Sequence, residues 1–131
     1  MRIATTCLIC AILAVIGCKP SKEPGLIEKV TNKVKETVNA IEMHDLYLFI
    51  YQIEAIDNRM PSKDEIRQYA KKENPKLSKL LEDGVIVLTG SKTRDSVWAY
   101  EKDAPTRGGW VVTGSGETKM TADELKKALG K

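Results

Sequence analysis

The chain contains 131 residues, of which 42% are hydrophobic and 30% are charged, and its formal net charge is +3. This length suits one ordinary domain. Three cysteines are too few for a disulfide-dense miniprotein, one long apolar run is too little for a polytopic membrane protein, and the aliphatic content is too high for a fully disordered chain. The charges are nearly balanced and form no basic stripe, so nothing favours nucleic acid as a partner.

The first seventeen residues have the pattern of an export signal. Arg2 precedes a nearly unbroken apolar stretch that ends at Gly17. A permanent membrane span needs about 20 apolar residues, so this stretch is too short to be one and has the length of a signal peptide. We therefore predict that residues 1–17 are removed. Cys7 and Cys10, whose spacing would otherwise suggest redox or metal chemistry, lie inside the removed segment.

The apolar stretch ends in Val15-Ile16-Gly17-Cys18, which resembles the bacterial lipobox. The resemblance implies that a peptidase cuts between Gly17 and Cys18 and that the Cys18 thiol carries a diacylglyceryl group. Two or three acyl chains together, palmitate among them, hold a protein stably at a membrane where one chain does not. We therefore expect a lipid anchor in the cell envelope. The alternatives are an incidental cysteine in an ordinary secretory signal and a short anchor helix.

The residue after the cysteine bears on the choice of membrane. Lys19, rather than an aspartate, follows Cys18. In a cell with two membranes, the usual sorting pattern of bacterial lipoproteins then implies the outer membrane, on its periplasmic side, rather than the inner membrane. A cell with one membrane would carry the protein on its outer face.

A short tether and a long helix follow the cysteine. Residues 18–25 contain the lipidated cysteine and a polar segment with two prolines and a glycine, which favours a flexible tether. Apolar residues then recur every three or four positions and predict a helix over residues 26–60. They form two stripes whose phases differ by about 100°. The first stripe consists of Ile27, Val30, Val34, Val38 and Ile41. The second consists of Leu46, Phe49, Ile50, Ile53, Ile56 and Met60.

We expect the second stripe to face the core, because its side chains are larger. A straight helix cannot aim both stripes at one partner. Residues 43–45 are therefore either a bend or the place where a continuous helix leaves one neighbour for another.

Two short helices are predicted over residues 62–84. Ser62 and Glu65 have the spacing of a capping box, in which each residue satisfies the other's backbone N–H. Asn74-Pro75 is a cap residue followed by proline, which suits the first position of a helix.

The remainder of the chain predicts a sheet and a last helix. Over residues 85–120, four runs rich in β-branched and aromatic residues are separated by short turns, which favours an antiparallel sheet. Thr121 and Glu124 form a second capping box, which starts a helix over residues 121–130. The fold class is therefore α+β, in which residues 26–131 form one domain and one face of the sheet packs on the helix.

Residues 44–129 resemble pseudopilin-like bacterial proteins. The segments that carry the resemblance are Leu46 to Pro61 with Ser62 and Glu65, Ala99 to Lys102, Gly108 to Val112, Gly114 to Glu117, and Met120 to Leu125. The resemblance implies a pilin-like helix laid on an antiparallel sheet. Pseudopilins keep a hydrophobic helix behind a prepilin cleavage site, whereas this chain has a lipobox, so it is not expected to polymerise through such a helix.

No residues have the pattern of a catalytic or cofactor site. His44 is the only histidine, and the cysteines are expected to be removed or acylated, so a closed zinc site lacks ligands. No phosphate-cradling loop is present, since Gly114-Ser115-Gly116 is followed by Glu117. We therefore predict no enzymatic activity, no metal and no cofactor.

Aromatic residues are the candidate contact surface. Tyr47 and Tyr51 lie one helical turn apart and off the core stripe, which suits a surface for a partner. Trp98 and Tyr100 alternate along one strand, so we expect them to share a side. That side is either the packing of the sheet against the helix or a face on which a ligand stacks.

Together these patterns favour a lipid-anchored envelope protein without enzymatic activity, whose folded domain binds another envelope protein. One alternative is a structural lipoprotein that oligomerises through a coiled coil over residues 26–57. The other is a small-ligand binder that uses the face of Trp98 and Tyr100.

Overall fold

The computed structural model describes residues 26–130, which form five helices and one four-stranded antiparallel sheet of order β1-β2-β3-β4. The helices are α1 (Leu26–Asp57), α2 (Lys63–Glu73), α3 (Pro75–Glu82), α4 (Ala104–Arg107) and α5 (Ala122–Ala128). The strands are β1 (Ile86–Leu88), β2 (Val97–Glu101), β3 (Gly109–Thr113) and β4 (Gly116–Met120). The predicted α+β fold, with a long first helix and a short last one, is confirmed. The predicted signal peptide, Cys18 and the tether lie outside the described residues.

Helix α1 runs for 32 residues without a break, so residues 43–45 do not interrupt it. The helix ends at Asp57 rather than at residue 60. Asn58 takes a left-handed conformation with a φ of 51°, which asparagine tolerates and which ends α-helical hydrogen bonding. Pro61 then follows, before the next cap.

One face of α1 packs into the main core. Leu46 and Ile50 are buried there as predicted, together with Met43, which lies seven residues before Ile50 and therefore on the same face. Ile56 was expected in this stripe but is 71% exposed. It lies six residues beyond Ile50, which places it about 120° around the helix from that side chain. Ile56 therefore points away from the core at the last turn of α1.

The capping box at the start of α2 forms as predicted, and Arg59 also binds its glutamate. The Ser62 hydroxyl accepts a hydrogen bond from the Glu65 amide at 3.2 Å, while the Ser62 amide donates to the Glu65 carboxylate at 2.8 Å. Arg59 donates two further hydrogen bonds to the same carboxylate, at 2.9 and 2.6 Å. The Arg59 guanidinium, together with Ser62, lowers the pKa of Glu65 to about 2.

Asn74 joins α1 to the start of α3. Its Oδ1 accepts a hydrogen bond from the Leu77 amide at 3.0 Å, which caps α3. Its Nδ2 donates to the carboxylate of Glu42 and, at 3.1 Å, to Asp45. Glu42 is buried, with 4% of its surface exposed. One amide side chain therefore caps a helix and satisfies a buried carboxylate on its neighbour.

The two faces of the sheet cover different clusters. Ile86, Leu88 and Val112 pack with α1, α2 and α3 in the main core. On the other face, Val111 packs with Leu125 of α5 in a smaller cluster. Helix α5 starts at the predicted capping box, and its Thr121 lowers the pKa of Glu124 by hydrogen bonding to the carboxylate.

Helix α4 was not predicted from the sequence. It is a single turn of four residues between β2 and β3, and Gly108 ends it with a φ of 77°. Four residues are too few to show helical periodicity, so a proline-containing segment of this length resembles any other turn.

Candidate functional site

Three of the four predicted contact residues lie together on one surface. The rings of Tyr47 and Tyr51 on α1 have centroids 5.8 Å apart. Trp98 of β2 stacks on Tyr47, with centroids 6.2 Å apart and planes inclined by 16°. Tyr51 is 41% exposed, Tyr47 is half-buried and Trp98 is buried behind them. The buried tryptophan therefore supports Tyr47 from behind, and Tyr47 in turn packs against the more exposed Tyr51.

Tyr100 lies elsewhere, and the prediction that it shares a side with Trp98 is wrong. The register between β2 and β3 shifts between Val97 and Ala99, so this strand carries one residue more than its partner. The extra residue changes the alternation of side chains along β2. Trp98 belongs to the main core with α1, whereas Tyr100 packs in the smaller cluster on the other face. A ligand-stacking face made of these two rings is therefore not formed.

Arg94 completes the surface beside Tyr51. Its guanidinium carbon lies 5.9 Å from the centroid of the Tyr51 ring. An Arg94 nitrogen also lies 3.8 Å from a carboxylate oxygen of Glu54, one turn along α1. Such a geometry combines a cation–π contact with a partly exposed ion pair. No local pattern in the sequence indicated Arg94, because its partners on α1 are about forty residues away along the chain.

The loop before β2 holds Arg94 in place. The indole N–H of Trp98 donates a hydrogen bond to the Thr93 carbonyl at 3.1 Å. The Ser96 hydroxyl donates to the same carbonyl at 2.6 Å, and it also hydrogen-bonds to the Ser91 hydroxyl. These hydrogen bonds connect the loop to the buried tryptophan. Because they involve Thr93 and Ser96, they restrain the backbone on both sides of Arg94.

His44 lies at the other end of the same surface. Its Nδ1 is 2.8 Å from a carboxylate oxygen of Glu117 on β4, and half of its side chain is exposed. Its ring centroid is 6.5 Å from that of Tyr47. We call His44, Tyr47, Tyr51, Arg94 and Trp98 the aromatic surface.

The aromatic surface has the chemistry of a protein contact. It presents two tyrosine rings with hydroxyl groups and one guanidinium, which are side chains enriched at protein interfaces, and one imidazole lies beside them. Among residues 26–130, no group of three or more histidine, cysteine, aspartate or glutamate side chains is arranged to hold a metal ion.

A wide, open groove lies at the opposite end of the sheet, with a volume of about 840 Å³. Its lining includes Asn39, Glu101 and Lys119. The Glu101 carboxylate accepts hydrogen bonds from the Asn39 side chain at 2.6 Å and from the Trp110 amide at 2.8 Å. This carboxylate therefore fastens α1 to the sheet.

Two further findings bear on function. In the part of the chain that the structure describes, no helix combines the length and the apolar character needed to cross a membrane. Searches of protein-family models, curated proteins and solved structures find no match to the chain.

Proposed function

We propose that this protein is a cell-envelope lipoprotein, anchored through Cys18, whose folded domain binds another envelope protein and has no enzymatic activity. Where the cell has two membranes, the anchor lies in the outer membrane and the domain faces the periplasm. One long helix packed on an antiparallel sheet is the layout that the resemblance to pseudopilin-like proteins implies, and this agreement supports a role in assembly.

The apolar stretch that ends in Val15-Ile16-Gly17-Cys18 is the observation that carries this proposal. It supplies the removable signal, the small residue before the cut and the thiol to be acylated. Several acyl chains then hold the domain at the bilayer.

Labelling with radioactive palmitate tests the anchor. We expect the wild-type chain to take up label and to fractionate with membranes, and the Cys18→Ala variant to lose both properties. Cys10→Ala is the matched control, because it removes a cysteine from the segment that is discarded, and it should label normally. Labelling that persists in Cys18→Ala would show that the proposed anchor is wrong.

The aromatic surface supports the binding role. Trp98 stacks on Tyr47, and Tyr47 in turn contacts Tyr51, so the two tyrosines lose less side-chain freedom when a partner covers them than isolated side chains would. Arg94 adds a donor that can pair with a carboxylate or a carbonyl at the rim.

Site-specific photocrosslinking in cells tests the position of this surface. A photoreactive phenylalanine analogue at Tyr51 is expected to capture a membrane-fraction protein. The same analogue at Tyr100, a half-buried tyrosine on the opposite face of the sheet, should not. Equal capture from the two positions would contradict the assignment of the partner to the aromatic surface.

A further inference from the structure

The side of α1 that points away from the sheet carries apolar residues at a spacing of seven. Ile41, Leu48 and Ala55 follow this spacing, and His44 and Tyr51 lie between them at the other seam position of a heptad. We call these five residues the outer seam. Ile41 is 56% exposed, Leu48 is 48% exposed, and the other three are also exposed.

Leu48, in the middle of the outer seam, lies opposite the side of α1 that packs into the main core. Leu48 is two residues from both Leu46 and Ile50, which places it about 200° around the helix from each of those buried side chains. A second helix laid along the seam would therefore leave the buried contacts of Leu46 and Ile50 undisturbed.

The same spacing continues toward the start of α1. Ile27 and Val34 precede Ile41 at intervals of seven, so the repeat covers most of the 32 residues of the helix. A straight helix drifts by about 20° for every seven residues, and two helices keep such a repeat in contact only by coiling around each other. The repeat thus indicates an occupant that is itself a helix running alongside α1. It also accounts for the two stripes of α1, because Ile41 of the first stripe faces away from the main core.

We propose that the outer seam pairs in parallel with the outer seam of a second copy of this chain. This inference rests on the proposed function, since it names the partner of the same side of the domain. Parallel pairing follows from the anchor. In an antiparallel pair the two helix starts would lie about 48 Å apart, whereas in a parallel pair both tethers reach the same bilayer.

The seam is complementary to itself in this arrangement. Ile41, Leu48 and Ala55 occupy the first seam position, and because all three are apolar, each would meet the same apolar residue of the second copy in a parallel pair. Beside the seam, Tyr47 of one copy would face Gln52 of the other. Because tyrosine and glutamine are both uncharged, this contact between the two copies brings no like charges together.

Disulfide crosslinking of the full-length chain in its membranes tests the pairing. In Leu48→Cys the two introduced thiols face each other across a parallel seam, within the short reach of a disulfide. Ile56→Cys is the matched control, because Ile56 is also exposed on α1 but points about 100° away from Ala55. Wild-type protein controls for the three native cysteines.

We expect mild oxidation to give about tenfold more dimer from Leu48→Cys than from either control, because pairing raises the effective concentration of the two thiols. Dimer from Leu48→Cys at the level of Ile56→Cys would overturn the proposal. Sedimentation of the detergent-solubilised wild-type protein gives a second readout, for which twice the chain mass is expected and a concentration-independent monomer would also overturn it.

Failure of this inference differs from failure of the proposed function. Monomeric protein that still carries palmitate on Cys18 would exclude self-pairing and leave the anchored binding module in place. Protein without palmitate would exclude the anchor whatever its mass.

Discussion

The joint between α1 and α3 offers a sharp test of the energetics of the fold, because the Asn74 amide performs two tasks that substitutions can separate. In Asn74→Ala the cap of α3 is lost and the buried carboxylate of Glu42 loses a donor. In Asn74→Asp the cap acceptor remains, but the donor is replaced by a third carboxylate beside Glu42 and Asp45.

The magnitudes follow from the two tasks. Loss of an N-cap costs about 1 kcal/mol, and loss of a hydrogen bond to a buried charged group costs about 2 kcal/mol more. We therefore expect Asn74→Ala to lower the free energy of unfolding by about 3 kcal/mol. Ser62→Ala is the matched control, because it removes a cap from α2 where no buried carboxylate depends on it, and it should cost about 1 kcal/mol.

Asn74→Asp should be destabilised at neutral pH by about as much as Asn74→Ala, although aspartate is as good a cap as asparagine. Adding Glu42→Gln to Asn74→Asp should recover much of the loss, because the glutamine amide then donates to the new carboxylate. Urea unfolding followed by tryptophan fluorescence measures all of these variants, since both tryptophans contact the main core. An Asn74→Asp variant as stable as the wild type would refute the assignment of the second task to Glu42.

Three other outcomes are expected. Leu46→Ala should lower the free energy of unfolding by about 3 kcal/mol in denaturant titrations, because Leu46 is fully buried; a loss below about 1 kcal/mol would contradict its place in the core. The pKa of Glu65 is lowered to about 2 in the folded chain, so its stabilising effect is complete above pH 4.5 and is lost as the pH falls toward 2. Glu65→Gln, which keeps a capping oxygen but loses the charge that pairs with Arg59, should show a shallower loss of stability over that interval in thermal melts, and an unchanged slope would argue against the ion pair. Gly114→Ala should destabilise the chain by about 1–3 kcal/mol in thermal melts, because a Cβ there would meet the Arg94 carbonyl oxygen; an unchanged melting temperature would show that the loop yields freely.

Local signals were sufficient for most of the secondary structure. A capping box acts over three residues, so Ser62 and Thr121 mark the starts of α2 and α5 whatever surrounds them. The Asn74-Pro75 cap marks α3 in the same way. The runs of β-branched residues and their short turns were likewise enough to predict an antiparallel sheet.

Tertiary structure decided which faces these elements bury. Periodicity reveals that α1 has two apolar stripes, but only packing shows that Met43 is buried while Ile41 and Ile56 are exposed. The bulge in β2 also appears only when the strand pairs with β3 in the folded chain. It places Trp98 and Tyr100 on different faces through one unpaired residue, whereas alternation along an isolated strand puts them together.

The candidate site was likewise predicted only in part. The sequence alone showed the resemblance of residues 15–18 to a lipobox and the two tyrosines one turn apart on α1, because each is a pattern within a short span of chain. Only the folded chain could bring Trp98 behind Tyr47, Arg94 over Tyr51 and Glu117 to His44. Those contacts join segments far apart in the chain, and the energy that selects them comes from burying the rest of the core.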